Sequence, residues 1–436
     1  MTKSISRAFV LTALLFSEAG FSQNLSDIYQ IALQADSELQ IAESNYLSAV
    51  EAVPFARSAN RPQMSLGVHR SYRQSNNSTS GNNTNQSYGY SVNLSQSLYD
   101  EETDSSIAAA EAGLEAEFAR LQEARQSLIL RVAESYFNIL AAQDDVEFAY
   151  AERRSIERQL EQAQKRFEVG LIAITDVHEA QARYDSAVAQ AILAENLLEN
   201  SIQGMRVIIG VRPSSQLLIV GDGLELSLPN PADATYWVSL AEDKNPALQA
   251  SRAQLNVAQQ ERRKQSTRQR PTVDLTASYS DASVNDDLLD DYRQDNVNVG
   301  VELNMPLFTG GRIDAERSRA EANYRSAQNS LLLQTRLTTQ LVRNFYLGVV
   351  SGISQVNALK QALESSNIAL QATRAGFEVG TRTSVDVLIS LRETYSARRD
   401  YARARYDYLT NSLKLKQAAG ILEEIDLTEI DRWLVP

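Results

Sequence analysis

Two hydrophobic periods alternate along this chain, and their order predicts its architecture. Val132, Ile139, Val146, Leu160 and Phe167 fall on one seven-residue series, with Arg153 its polar member. Val342, Val349, Val356, Leu363, Leu370 and Phe377 form a second series of the same spacing. A seven-residue repeat sustained in this way predicts long helices packed with a left-handed supercoil. All nine prolines lie at 54, 62, 213, 229, 231, 246, 271, 306 and 436, which leaves 63–212 and 307–435 without any. Long helices require this, because proline lacks the N–H and clashes with the preceding turn. Roughly 65 residues before Gly170 predict a helix on the order of 100 Å, at about 1.5 Å per residue. Gly170 and Gly380 suit turns that need positive φ, and 176–209 and 386–419 then read as returning helices.

Before each helical tract the period shortens to two. Leu66, Val68 and Tyr72, then Tyr88, Tyr90, Val92 and Leu94, alternate with small polar residues. Val273, Leu275, Ala277 and Tyr279, then Val297, Val299, Val301 and Leu303, do the same. Runs of about ten residues with one apolar face match a tilted transmembrane β-strand. The loop Gln74–Gln86 is made almost wholly of Ser, Asn, Thr and Gly. Its counterpart Asp281–Asn296 carries Asp281, Asp286, Asp287, Asp290, Asp291 and Asp295. Both loops are expected in water. A pair of water-exposed hairpins packed on the coils is the competing reading. Four strands cannot close a barrel, and lipid tolerates no open sheet edge, so a membrane location demands strands pooled from several chains.

The whole pattern is written twice. Arg166-Phe167-Glu168-Val169-Gly170 answers Gly376-Phe377-Glu378-Val379-Gly380, and Asp176-Val177 answers Asp386-Val387, at an offset of 210. Arg61-Pro62 pairs with Arg270-Pro271, Leu39-Gln40 with Leu248-Gln249, and Tyr99 with Phe308, at 209. A tandem duplication with a one-residue slip between about Tyr99 and Ala110 accounts for both offsets. The boundaries that follow are a first repeat over 23–209, with a strand pair at 63–99 and a helical hairpin at 100–209. A linker occupies 210–246. The second repeat covers 247–420, with a strand pair at 271–308 and a hairpin at 309–420, and 421–436 forms a tail.

Composition narrows the function. Lys3 and Arg7, the apolar run Ala8–Phe16 and the small residues around Gly20–Ser22 predict an export signal over 1–22. A net charge of −13 argues against nucleic acid, which needs a basic surface. The one basic cluster, Arg262-Arg263-Lys264 with Arg268 and Arg270, reads as a solvated or lipid-headgroup-facing surface. Cysteine is absent, which excludes disulfides, thiolate metal sites and a lipidated N-terminal Cys. The two histidines, His69 and His178, form no metal-ligand pair, and Gly310-Gly311 lacks the Lys-Ser/Thr of a phosphate loop. An enzyme is therefore disfavoured, and no cofactor or metal is expected.

Four segments carry a resemblance. They are Phe377-Glu378-Val379-Gly380-Thr381-Arg382-Thr383-Ser384-Val385-Asp386-Val387-Leu388, Ala404-Arg405-Tyr406-Asp407-Tyr408-Leu409, Val169-Gly170-Leu171-Ile172-Ala173-Ile174-Thr175-Asp176-Val177 and Asn304-Met305-Pro306-Leu307-Phe308-Thr309-Gly310-Gly311. In order and over essentially the whole mature chain, they resemble the TolC family of bacterial outer-membrane efflux and type I secretion channel proteins. The resemblance implies a mainly α fold with a transmembrane β part. Long antiparallel helical hairpins would form an α-barrel across the periplasm, and four β-strands per protomer would form a 12-stranded barrel in a homotrimer. Segments 210–246 and 421–436 would pack around the middle, and the missing Cys matches the unlipidated branch.

The implied function is an outer-membrane exit duct, in a Gram-negative bacterium, for drugs, small molecules or secreted proteins. Implied partners are a periplasmic adaptor (membrane fusion) protein, an inner-membrane ABC transporter or proton-driven pump, and outer-membrane lipid, with no nucleic acid. An exported trimeric coiled-coil structural or adhesive stalk with a β-barrel anchor is the alternative, although a stalk needs no internal duplication.

The resemblance also implies a periplasmic gate. Carried over by position, Arg382 would bond Thr175 and approach Asp176 on adjoining coils, and Asp386 would form a ring of carboxylates that selects cations. The family has a tyrosine at Phe377 and a second acidic ring at Ile389, so this chain lacks one phenolic hydroxyl and one ring. From spacing alone, Arg382 also reads as a solvated turn residue and Asp386 as a helix N-cap.

Overall fold

A computed structural model describes residues 23–77, 81–214, 216–221, 223–286 and 292–435. The expected export signal at 1–22 lies outside these residues. The chain opens with helices α1 (Leu25–Ala35) and α2 (Ser37–Ser58), strands β1 (Gln63–Asn77) and β2 (Gly81–Tyr99), and the hairpin of α3 (Glu101–Glu168) and α4 (Ile174–Ile209). After the short β3 (Ile219–Val220) come α5 (Ala234–Lys244), α6 (Pro246–Thr267), β4 (Thr272–Asp286) and β5 (Tyr292–Asn304). The second hairpin follows as α7 (Arg312–Glu378) and α8 (Ser384–Ala419), then α9 (Glu424–Asp431) and β6 (Leu434–Val435).

The repeat is visible to the residue. The bounds of α1, α2 and β1 shifted by 209 give those of α5, α6 and β4, and the bounds of α4 shifted by 210 give those of α8. A helix equivalent to α1 thus lies inside 210–246, the stretch expected to be a linker. Equivalent caps start α2 and α6. The Asp36 side chain accepts from the Leu39 amide at 2.8 Å, and that of Asn245 accepts from the Leu248 amide at 3.0 Å. Buried Asp36 also receives both terminal nitrogens of Arg131 at 2.9 Å, which balances its charge.

α3 and α7 run 68 and 67 residues, about 100 Å each at 1.5 Å per residue. α3 packs on α4, α7 on α8, and α8 on α3, while α6 bridges α3 and α7. Val132, Ile139, Val342, Val349 and Val356 of the heptad series lie in one core with Tyr136, Leu140, Met205 and Leu413. Arg268, on the turn after α6, clamps the upper ends of the long helices by bonding Glu102 of α3 at 3.0 Å and Glu316 of α7 at 2.6 Å. Around the middle, β3 pairs with β6, and Arg405 donates to the carbonyls of Val220 and Gly221. Asp431 accepts from the Leu25 and Ser26 amides, so α9 caps the start of α1.

The strands form one antiparallel sheet in the order β1-β2-β4-β5. Its register places whole rows of like residues across all four strands. Leu66, Val92, Tyr279 and Val297 make one row, and Met64, Leu94, Ala277 and Val299 another on the same face. The opposite face carries Ser65, Asn93, Ser278 and Asn298, then Gly67, Ser91, Ser280 and Asn296. The apolar face is uncovered, with Leu66 69% and Val299 68% exposed. Below it, Leu98-Tyr99 and the repeated pair Leu307-Phe308 are also exposed.

The strands correct the expected lengths. They span 15, 19, 15 and 13 residues rather than about ten, and they absorb most of both polar loops. The reason is that a hairpin ladder is held by backbone bonds and needs no apolar side chain to continue. Polar cross-strand pairs reinforce it there, as between the Ser71 and Ser87 hydroxyls at 2.7 Å and in the Arg293–Asp281 ion pair at 2.7 Å.

Gly420 ends α8 at φ +78°, and a Cβ there would stand 2.4 Å from the Lys244 carbonyl oxygen. Gly420→Ala is expected to cost about 2–4 kcal/mol, whereas Gly204→Ala, in open space within α4, is expected to be neutral or slightly stabilising. Thermal unfolding monitored by circular dichroism reads both, and equal midpoints would remove the explanation.

Candidate functional site

The hairpin tips concentrate the residues that the sequence singles out. In the first tip, Gly170 turns at φ +77° and the Leu171 amide donates to the Arg166 carbonyl at 2.9 Å. Ile172 and Val177 then pack against Leu160, Ala163 and Ala180, so an apolar plug closes this tip. α4 starts at Ile174, and its N-cap Ala173 supplies no side-chain bond. Thr175 is exposed and Asp176 half-buried on the first turn.

The second tip solves the same turn with polar bonds. Gly380 sits at φ +81°, and the Gly376 carbonyl accepts from the Thr381 amide at 2.9 Å, the Thr381 hydroxyl at 3.0 Å and the Arg382 amide at 3.2 Å. α8 begins with a capping box. The Thr383 amide donates to Asp386 Oδ2 at 2.9 Å, and the Asp386 amide donates to Thr383 Oγ1 at 3.2 Å. The Thr383 hydroxyl adds a bond to Asp386 Oδ2 at 2.9 Å. The Asp386 carboxyl lies below its usual pKa, first because the Thr383 amide bonds its charged form, then through the Thr383 hydroxyl and nearby Arg382.

Arg382 occupies the place of Ile172 in the repeat, and it is exposed. A Cβ on Gly376 would come within 2.8 Å of Arg382 Cγ, so the missing side chain lets the arginine stem lie against the end of α7. Among the described residues, no hydrogen bond joins Arg382 to Thr175 or Asp176 within the chain. Asp386 serves as the N3 partner of the cap at Thr383 rather than as the cap itself.

One contact here was not expected. The Arg166 guanidinium lies over the Phe377 ring, 4.3 Å from its centroid, and ties the end of α3 to the end of α7. Its sequence signal is faint. In the otherwise matching tip pentapeptides, Arg166 stands where the second copy has Gly376.

The box gives the second tip a pH-dependent cap. Because the folded pKa of Asp386 is depressed, its stabilisation is full above the usual aspartate range and is lost as pH falls through the lowered value. Amide hydrogen exchange is expected to show the first turn of α8 losing protection in acid. Thr383→Ala should cost about 1 kcal/mol there at neutral pH. The first turn of α4 should show no such capping step. An identical acid response at both tips would count against the capping account.

The family model described as outer membrane efflux protein matches the chain twice, over residues 28–211 and 237–421. The chain is 35% identical to the outer membrane protein TolC of Vibrio cholerae serotype O1 over 436 residues, covering 99% of each chain. To the alkaline protease secretion protein AprF of Pseudomonas aeruginosa it is 29% identical, over 95% of this chain and 88% of that one. Its fold is similar to that of the Campylobacter jejuni CmeC outer membrane channel, with a TM-score of 0.81 over 95% of this chain and 90% of that chain, at 17% identity. Two family matches falling on the two copies, and a relative alike from end to end, lead to one conclusion: the chain belongs to the outer membrane efflux protein family and is an outer-membrane channel protein of the TolC type.

Proposed function

We propose that three copies of this exit duct for efflux and type I secretion close into one cylinder. Each copy would contribute its four strands to a twelve-stranded barrel and its two hairpins to a helical tunnel across the periplasm. The uncovered apolar face of the sheet carries this reading. It is continuous across β1, β2, β4 and β5, and it ends on β1 and β5, each paired on one side only. A soluble monomer rarely leaves so large an apolar patch bare, and lipid accepts no free strand edge. Pairing β5 of one copy with β1 of the next satisfies both demands, and twelve strands fall within the known range. The exposed Leu98-Tyr99 and Leu307-Phe308 pairs suit the headgroup level on the helix side.

The partners that fit such a duct are a periplasmic adaptor and an inner-membrane pump, either an ABC transporter or a proton-driven one. At the periplasmic end, Arg382 of one coil latches onto Thr175 and Asp176 of an adjoining coil, and Asp386 rings the constriction. Each exposed latch contributes about 1 kcal/mol or less, so three together hold a gate that a partner can open. Phe377 offers no hydroxyl and Ile389 no second ring, so the latch is weaker and the cation preference milder than in channels that have both.

Purified protein in detergent should run as a trimer and conduct in planar bilayers. Arg382→Ser is expected to raise the resting conductance, and Asp386→Ala to lower cation over anion preference. A monomer that stays in water without detergent would remove the duct, and unchanged conductance and selectivity in both variants would remove the assigned gate.

A further inference from the structure

The Arg166–Phe377 contact singles out a second element of the gate. We infer that Arg166 is a positioning residue of the closed state, clasping the two hairpins of one protomer together just above their tips. The inference rests on the tunnel reading above, and its observations are independent of the Arg382 latch. The guanidinium lies over the face of the Phe377 ring at 4.3 Å, where the ring's negative quadrupole attracts a cation. Arg166 closes the last turn of α3 and Phe377 the last turn of α7, and these helices belong to different hairpins. At their other ends the same two helices are clamped by Arg268 through Glu102 and Glu316. Between these ends the hairpins share the main core and a smaller buried cluster of Ile156, Leu370, Leu388 and Leu391. Arg166 therefore supplies the lowest fastening, and below that cluster it is what keeps the last turns of α3 and α7 from parting.

The divergence of the two copies follows the same logic. An arginine at position 376, matching Arg166, would collide with the stem of Arg382, which already lies against Gly376. The second copy thus keeps glycine and directs Arg382 outward, while the first keeps Arg166 and directs it across to Phe377. Phe377 is half-buried beneath that guanidinium, while its repeat equivalent Phe167 remains 41% exposed. The contact needs a π face and no hydroxyl, so it gives a physical role to phenylalanine at this position.

Planar-bilayer recordings on the full-length protein test this, with thermal unfolding as a control for folding. Arg166→Ala and Phe377→Leu are each expected to raise the resting open-to-closed ratio by roughly two- to fivefold per clasp, without changing cation preference or the unfolding midpoint. The double variant should open no further than either single one. Phe377→Tyr keeps the π face, so Arg166→Ala should raise the ratio by the same factor in that background as in the parent protein, and Arg166→Lys should retain part of the clasp. Wild-type conductance in Arg166→Ala, or fully additive effects in the double variant, would overturn the clasp. If Arg382→Ser still opened the channel in that case, the tunnel reading would stand without the clasp. A parent protein that forms no channel at all would overturn both.

Discussion

Every backbone N–H and C=O that enters hydrocarbon must find a partner, and four strands in a row leave two edges where this fails. β1 and β5 are those edges, and the rows that cross the sheet between them are apolar on one face only. In the barrel proposed above, association of several copies is a requirement of the backbone before it is a matter of side-chain affinity. The helical part inherits the requirement, because each hairpin is joined to its strands by a few residues at Tyr99–Glu101 and Asn304–Arg312. Whatever spacing the strands adopt around a barrel, the hairpins must accept. Long helices with a seven-residue repeat tolerate this well, since their seams extend along the axis without fixing how many helices surround it.

Duplication supplied two sets of parts, and the structure shows which were free to diverge. The elements α1, α2 and β1 recur as α5, α6 and β4 without the shift of a residue, and the capping bonds of α2 and α6 are equivalent. These segments carry the sheet and the core, where a change of length would break register or packing. The tips bear no such load. There one copy closes with an apolar plug around Ile172, and the other with polar bonds around Gly376 and Thr383. Difference between the copies has collected where the fold constrains it least.

The chain announced its helices, its tip turns and its strand faces through periodicity and glycine, because those features depend on neighbours a few residues away. Val132, Val342 and Val356 are buried as the heptad series requires, and Gly170 and Gly380 adopt positive φ. The capping box is also legible, since Thr383-Ser384-Val385-Asp386 has the spacing of a reciprocal cap with Asp386 as its N3 partner. Strand length was hidden, because Ser and Asn read as loop residues although the ladder beneath them is backbone. The Arg166–Phe377 contact was hidden for a different reason. It joins residues about half a chain apart, and no local pattern reports which arginine of an exposed helix end meets which ring.

The sheet's second face has its own consequence. Ser65, Asn93, Ser278 and Asn298, followed by Gly67, Ser91, Ser280 and Asn296, present short neutral groups already well served by water. Along these two rows a passing molecule meets no greasy foothold and no charge, while the carboxylates of the same face, Asp274 and Glu302, lie opposite each other nearer the helices. Dwell time against those rows stays brief for neutral and apolar cargo, and the acidic pair at their foot distinguishes a charged molecule from an uncharged one.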